Sequence, residues 1–220
     1  MRRYQSIWYV ITVISGLFLA PVAKAEDDAK PHPHYLLSIN FAPAACVLYP
    51  ERRKLRQCQE GYALIVHGLW KEKPVVTTKT EPCTEKAPEL SPVQQSVLEK
   101  IMPDEEMRNK AWQSYGACTG LSAQEYFRVV MSYANKLKLP ELFSEASATD
   151  REFDQEFLAQ EVQKINNNLP EKGFYFRCQT QHEKTFLTEV RVCYDKLGQF
   201  ADCKSFKPNC PDTITLRAVK

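Results

Sequence analysis

Two stretches of this 220-residue chain carry side chains suited to proton transfer. The first is Tyr62-Ala63-Leu64-Ile65-Val66-His67-Gly68-Leu69-Trp70, an apolar run that leads into an imidazole, a glycine and an aromatic ring. An imidazole titrates near pH ~6.5, so it can give or take a proton close to neutrality. At the end of a buried strand it would sit on a rigid support, as acid–base chemistry requires. Gly68 would let a ligand or a second backbone come close. The second stretch is Lys110-Ala111-Trp112-Gln113-Ser114-Tyr115-Gly116-Ala117-Cys118. Taken alone, His67 beside Trp70 reads as a packed core histidine; the second stretch makes it a site candidate.

The elements that must hold these residues follow from periodicity. Tyr35 to Ile39 reads as a strand, and Tyr62 to Val66 as the strand that delivers His67. Between them, Cys46 to Cys58 reads as a loop whose Arg52, Arg53, Lys54 and Arg56 form a solvated basic cluster. Residues 71–90 are proline-punctuated and variable in character. Three helices are signalled next. Ser91 and Pro92 cap a helix over Val93 to Met102, and Ser122 with Glu125 forms a capping box before Tyr126 to Leu137. Thr149 with Glu152 suggests another box before Phe153 to Ile165. Phe174 to Cys178 and Phe186 to Cys193 then alternate like half-buried antiparallel partners, and Lys196 to Cys210 reads as a stapled loop. Helices between flanking strands imply an α+β fold.

Composition narrows the function classes. Arg2 and Arg3, the apolar run Ile7 to Leu19, and Ala23-Lys24-Ala25 make the pattern of a secretory signal over residues 1–25. A single domain over 26–220, secreted or periplasmic and with no membrane span, is expected. Removing Arg2, Arg3 and Lys24 from the 29 basic residues leaves 26 against 27 acidic ones, a net charge of −1. That excludes a protein that coats nucleic acid through bulk charge; any RNA contact must be local. All eight cysteines (46, 58, 83, 118, 178, 193, 203 and 210) follow the signal, and no Cys-x-x-Cys pair occurs, so disulfides are expected rather than metal ligation. His32-Pro33-His34 offers two ligands without a third. No cofactor and no metal are expected.

His67-Gly68-Leu69-Trp70 after an apolar strand, Trp112-x-x-x-Gly116-Ala117-Cys118 before a capped helix, and the tail Cys178-Gln179, Leu187-Thr188-Glu189-Val190, Cys193, Cys203 and Cys210 together resemble the ribonuclease T2 family. The resemblance spans nearly the whole chain after the signal and is nearest to the exported bacterial branch. It implies a central antiparallel sheet packed with several helices, and the disulfides Cys46–Cys58, Cys83–Cys118, Cys178–Cys210 and Cys193–Cys203. The implied activity is metal-independent RNA cleavage through a 2′,3′-cyclic phosphate, with His67 as general acid.

The second motif departs from the family pattern His-Glu-Trp-x-Lys-His-Gly-x-Cys. Its scaffold positions Trp112, Gly116 and Cys118 are kept. The glutamate position holds Ala111, the lysine position Ser114 and the general-base position Tyr115. A tyrosine with a pKa near ~10 is ionised in about one molecule in a thousand at neutrality. Losing a base costs about 10²–10⁴-fold and losing an electrostatic stabiliser about 10²–10³-fold. The expectation is an RNA- or nucleotide-binding member with impaired or lost cleavage, Trp70, Lys110 and Trp112 contacting the ligand. The rivals are an active endoribonuclease with another base, and a non-catalytic module that binds a protein partner. A monomer is expected.

Overall fold

The computed structural model describes residues 34–72 and 82–219. The expected signal over 1–25, the polar start with His32, and residues 73–81 of the proline-punctuated segment lie outside them. The described chain runs β1 (Tyr35–Phe41), α1 (Ala42–Leu48), a 3-10 turn (Pro50–Lys54), α2 (Arg56–Gln59), β2 (Leu64–Lys71), α3 (Pro92–Leu98) and α4 (Glu105–Ala111). After a π turn (Trp112–Gly116) come α5 (Ala123–Lys136), β3 (Arg151–Asp154), α6 (Gln155–Ile165), β4 (Phe174–Gln181), β5 (Lys184–Tyr194) and β6 (Thr213–Leu216). The fold is α+β: one six-stranded sheet with helices packed on it, as the sequence implies.

β5 is the hub of the sheet. It pairs antiparallel with β4 from Phe174–Val192 to Gln181–Lys184 and with β1 from Tyr35–Tyr194 to Asn40–Glu189. β6 meets it in parallel at Phe186–Thr215, and β3 pairs antiparallel with β6. β2 lies at the other end of the order, hydrogen-bonded to β1. Leu37, Ile39 and Phe41 of β1 point into the main core with Tyr126, Phe127 and Val130 of α5 and Leu158 and Val162 of α6. The opposite sheet face carries a smaller cluster of Leu36, Tyr175, Cys193 and Cys203, against which Trp70 packs. All four disulfides join the pairs that the resemblance implies.

Several expectations are corrected. β2 does not stop at His67 but runs on to Lys71, because a bulge absorbs the histidine without ending the ladder. The Cys46–Cys58 stretch is helical in three short pieces, with Pro43 and Pro50 seated in first turns, where a missing N–H costs nothing. The Thr149–Glu152 capping box does not form. Arg151–Asp154 pairs with β6 instead, and α6 starts only at Gln155 with Asp154 as its cap, its Oδ1 accepting from Phe157 N at 2.9 Å. The Ser91 cap and the Ser122–Glu125 box are formed as expected. His182 occupies the β4–β5 hairpin turn, where it and Glu183 both have positive φ.

Candidate active site

β1 and β2 face each other in register at Ser38–Gly68 and again at Ile39–Val66. His67 lies between these pairs and opposes no residue of β1, which makes it the extra residue of a β-bulge. The consequence shows in the packing on either side. Val66 and Leu69 both join the main core, although three positions apart along a strand. His67 is thereby turned out of the main core, toward Trp70 and the cleft that α4 walls. Bulges commonly re-aim a side chain beside a working site.

The bulge is held from the edge of β2 that β1 leaves free. Val66 N donates to Ile101 O at 2.8 Å. Tyr126, fully buried on α5, donates its hydroxyl to Leu69 O at 2.8 Å and accepts from Leu69 N at 3.3 Å. One phenol thus satisfies both backbone groups of the second residue after the histidine.

The second motif forms the opposing wall. α4 is anchored by buried Arg108, which donates to Met102 O at 2.7 Å and Pro103 O at 2.9 Å. The helix then widens into the π turn over Trp112–Gly116; such turns are rare and frequent at functional sites. Gly116 is obligatory here, since a Cβ would lie 2.5 Å from Trp112 Cε3 and 2.8 Å from Tyr126 Cδ1. Cys83 N donates to Gln113 O at 2.7 Å, and the Cys83–Cys118 bridge fastens the segment after β2 to the end of the turn. Lys71 reaches across from β2 to the carbonyls of Cys118 and Thr119 at 3.4 and 3.3 Å. Gly68 faces this wall without crowding. A Cβ there would meet Ala111 Cβ at 3.6 Å and Tyr115 Cδ2 at 3.7 Å, so the close approach expected of Gly68 is ordinary contact.

Between the walls is a cleft of about 550 Å³. Its lining includes His67 from β2; Glu106, Lys110 and Ala111 from α4; and Ser114 and Tyr115 from the π turn. The 3-10 turn adds Glu51, Arg52 and Lys54. Sequence reasoning placed the basic cluster in solvent; in fact it divides. Arg52 and Lys54 face the cleft, while Arg56 pairs with Glu60 at 2.6 Å. The charge run was the available signal, but only the 3-10 geometry says which of its members point inward. Glu51 escaped for the same reason, and Glu106 because α4 was not among the helices that the sequence signals.

The structure brings together His67, Lys110, Ala111, Ser114 and Tyr115, and sets two expected ligand contacts apart. Trp112 packs on the Tyr126 ring at 5.9 Å and does not line the cleft. Trp70 lies at the cleft's margin, 5.0 Å from the Tyr115 ring and 6.0 Å from His67. Lys110 is tied to Glu106 at 2.7 Å, one helical turn back, and that ion pair holds the Glu106 carboxyl below its usual range. Among the described residues no imidazole besides His67 lines the cleft.

Burial pushes the His67 imidazole below its ordinary value; Glu189 opposes that shift, and Arg52 and Arg191 reinforce it. Its Nδ1 is buried without a hydrogen-bond partner among the described residues. For Glu189, burial would raise the carboxyl, but the adjoining Arg191 outweighs it and brings it below the usual range. The arrangement offers one proton donor that charges on acidification, three cations and two cleft carboxylates.

Known proteins share this fold. The chain is 24% identical over 203 residues to a ribonuclease of Aeromonas hydrophila, covering 86% of this chain and 85% of that one. Among solved structures, ribonuclease MC1 from bitter gourd seeds superposes with a TM-score of 0.62 at 17% identity, over 83% of this chain and 98% of that one. A mutant of ribonuclease MC1 in complex with 5′-UMP superposes with a TM-score of 0.63 at 16% identity, over 83% and 97%. The model of the ribonuclease T2 family matches residues 33–203. That span takes in the bulged strand, the π turn and all the cleft between them, and the chain belongs to the ribonuclease T2 family.

Proposed function

We propose that this protein is an exported T2-fold protein that binds RNA or a nucleotide in the His67 cleft and has lost most of its endoribonuclease activity. The observation that carries the reading is the pairing across the cleft of one imidazole, His67, with Tyr115. Cleavage needs a group to take the proton of the ribose 2′-hydroxyl and another to protonate the departing 5′-oxygen. His67 suits the second task when charged. A phenol, which carries its own proton at neutrality, is a poor acceptor for the first. Binding survives the exchange better than catalysis does. Arg52, Lys54 and Lys110 supply positive charge to the cleft, and Tyr115 and Trp70 offer rings to a base. The 5′-UMP complex of the structural relative supports a nucleotide as ligand.

Export belongs to the same reading, with 1–25 as the removed signal and 26–220 as the mature domain. The four disulfides support an oxidising compartment. Among the described residues, no helix is long and apolar enough to cross a membrane.

A second reading is favoured by Glu51 and Glu106, carboxylates in the cleft that could accept the proton. Glu106 is engaged with Lys110, and its depressed pKa makes it a weaker base still. The deciding experiment incubates oxidised protein with RNA from pH 4 to 8 beside His67→Ala, Glu51→Gln and Glu106→Gln. Nucleotide binding without cleavage supports the first reading. Cleavage abolished by His67→Ala and by one glutamate variant supports the second and overturns the first.

A further inference from the structure

On the sheet face opposite the main core lies a charged array outside the lining of the cleft. Ser38, fully buried on β1, donates from Oγ to Glu189 Oε2 at 3.0 Å, and Arg191 Nε donates to the same oxygen at 2.6 Å. Arg191 in turn lies 5.6 Å over the Trp70 ring. The register fixes where this array sits. Ser38 opposes Arg191 on one side and Gly68 on the other, so the carboxylate bonded to Ser38 stands beside the bulge that carries His67.

We propose that Glu189 is a positioning residue for His67, a fixed anion behind the bulge that lets a buried imidazole take up a proton. The rest of the surroundings make such an anion necessary. From β5 the imidazole faces Arg191 as well as Glu189, and from the 3-10 turn it faces Arg52. The cleft wall adds Glu51 and Lys54 from that turn, the Glu106–Lys110 pair from α4, and Tyr115. Glu106 is spent on Lys110 and Glu51 is solvent-exposed, so the buried counter-charge comes from Glu189. Ser38 and Arg191 anchor that carboxylate from two directions, which keeps it ionised and stationary.

The inference rests on His67 being the working imidazole of the cleft, and its test is arranged to fail separately from that reading. Imidazole NMR titration of the oxidised protein without ligand is compared for wild type and Glu189→Gln. The midpoint of His67 is expected to fall by about one pH unit, a roughly tenfold loss of the protonated form at a given pH above it. Ser38→Ala, which loosens the carboxylate but keeps Arg191 paired, should shift it less and in the same direction, and Glu189→Asp should restore it. A folded Glu189→Gln protein with an unmoved His67 midpoint overturns the inference. Should that variant not fold, the wild type decides. Its His67 resonance should show a second inflection at acid pH as Glu189 is protonated, and a single inflection overturns the inference. Binding of 5′-UMP at pH ~5.5, measured alongside, should weaken several-fold in Glu189→Gln. Failure of wild type to bind 5′-UMP with the midpoint shifted removes the functional reading and leaves the positioning role standing.

Discussion

Tyr126→Phe removes one oxygen atom from the centre of the molecule and tests whether the bulge is held as described. The ring keeps its packing on Phe127, 4.9 Å away, and on Trp112. What is lost is the hydroxyl that donates to Leu69 O at 2.8 Å and accepts from Leu69 N at 3.3 Å. Leu69 is 1% exposed, so water does not readily take over both roles. A hydrogen bond contributes about 0.5–1.5 kcal/mol net, and a buried group left unpaired costs about 1–3 kcal/mol. The long Leu69 N contact adds little, which puts the expected loss at about 2 kcal/mol. At this size that corresponds to a drop in Tm of about 4–8 °C. Urea denaturation of the oxidised protein with the m-value unchanged would measure it directly. A second readout follows from position: Leu69 is two residues from His67, so the imidazole resonances should move as well. A loss under about 0.5 kcal/mol, with His67 unmoved, would refute the claim that this hydroxyl fixes the bulge.

Other outcomes follow from the same geometry. Gly116→Ala drives a methyl into Trp112 and Tyr126, backed by the π turn, and should destabilise by about 1–3 kcal/mol in urea titration. Stability should fall on acidification in two windows. His67, depressed by burial, contributes fully above its ordinary 6.5 and loses that contribution as pH drops toward its folded value. Glu189, also depressed, holds its contribution above 4.5 and loses it as pH falls further. Replacing His67 with Asn should flatten the upper window and narrow the lower one, since the charged imidazole helps to hold Glu189 down, as read from Tm against pH. The combined change Ala111→Glu, Ser114→Lys and Tyr115→His should raise RNA cleavage at least ~100-fold, the lower bound for regaining a base. A folded variant with no gain would show that the cleft differs by more than its missing groups.

How much of this was legible beforehand depends on the distance over which each feature is determined. Strands β1, β4 and β5 declare themselves by alternation, and the caps at Ser91 and Ser122 by residues three positions apart, so local chemistry suffices. The strand at Arg151–Asp154 escaped because its partner, Thr213–Leu216, lies some sixty residues onward, and a nearby Thr–Glu pair mimics a helix start. The π turn escaped for a different reason. Its only mark is a glycine four residues after a tryptophan, and the need for it appears when Tyr126 is brought in from α5. At the site, both motifs were legible and their meeting was implied by the family resemblance. The contributions of Glu51, Arg52 and Lys54 depend on which side of one 3-10 turn faces inward. Those of Glu189 and Arg191 depend on sheet register, which a lone β5 does not reveal.

The bulge has one more implication. Without His67, β2 would read Ile65, Val66, Gly68, Leu69, Trp70, with Val66 and Leu69 inward and their neighbours outward, an unbroken two-residue rhythm against β1. The histidine is a supernumerary residue spliced into a strand already complete. Excising it, rather than exchanging it for another amino acid, should therefore leave a straight ladder and an intact interior. Scaffold and imidazole are separable in this chain by a single codon.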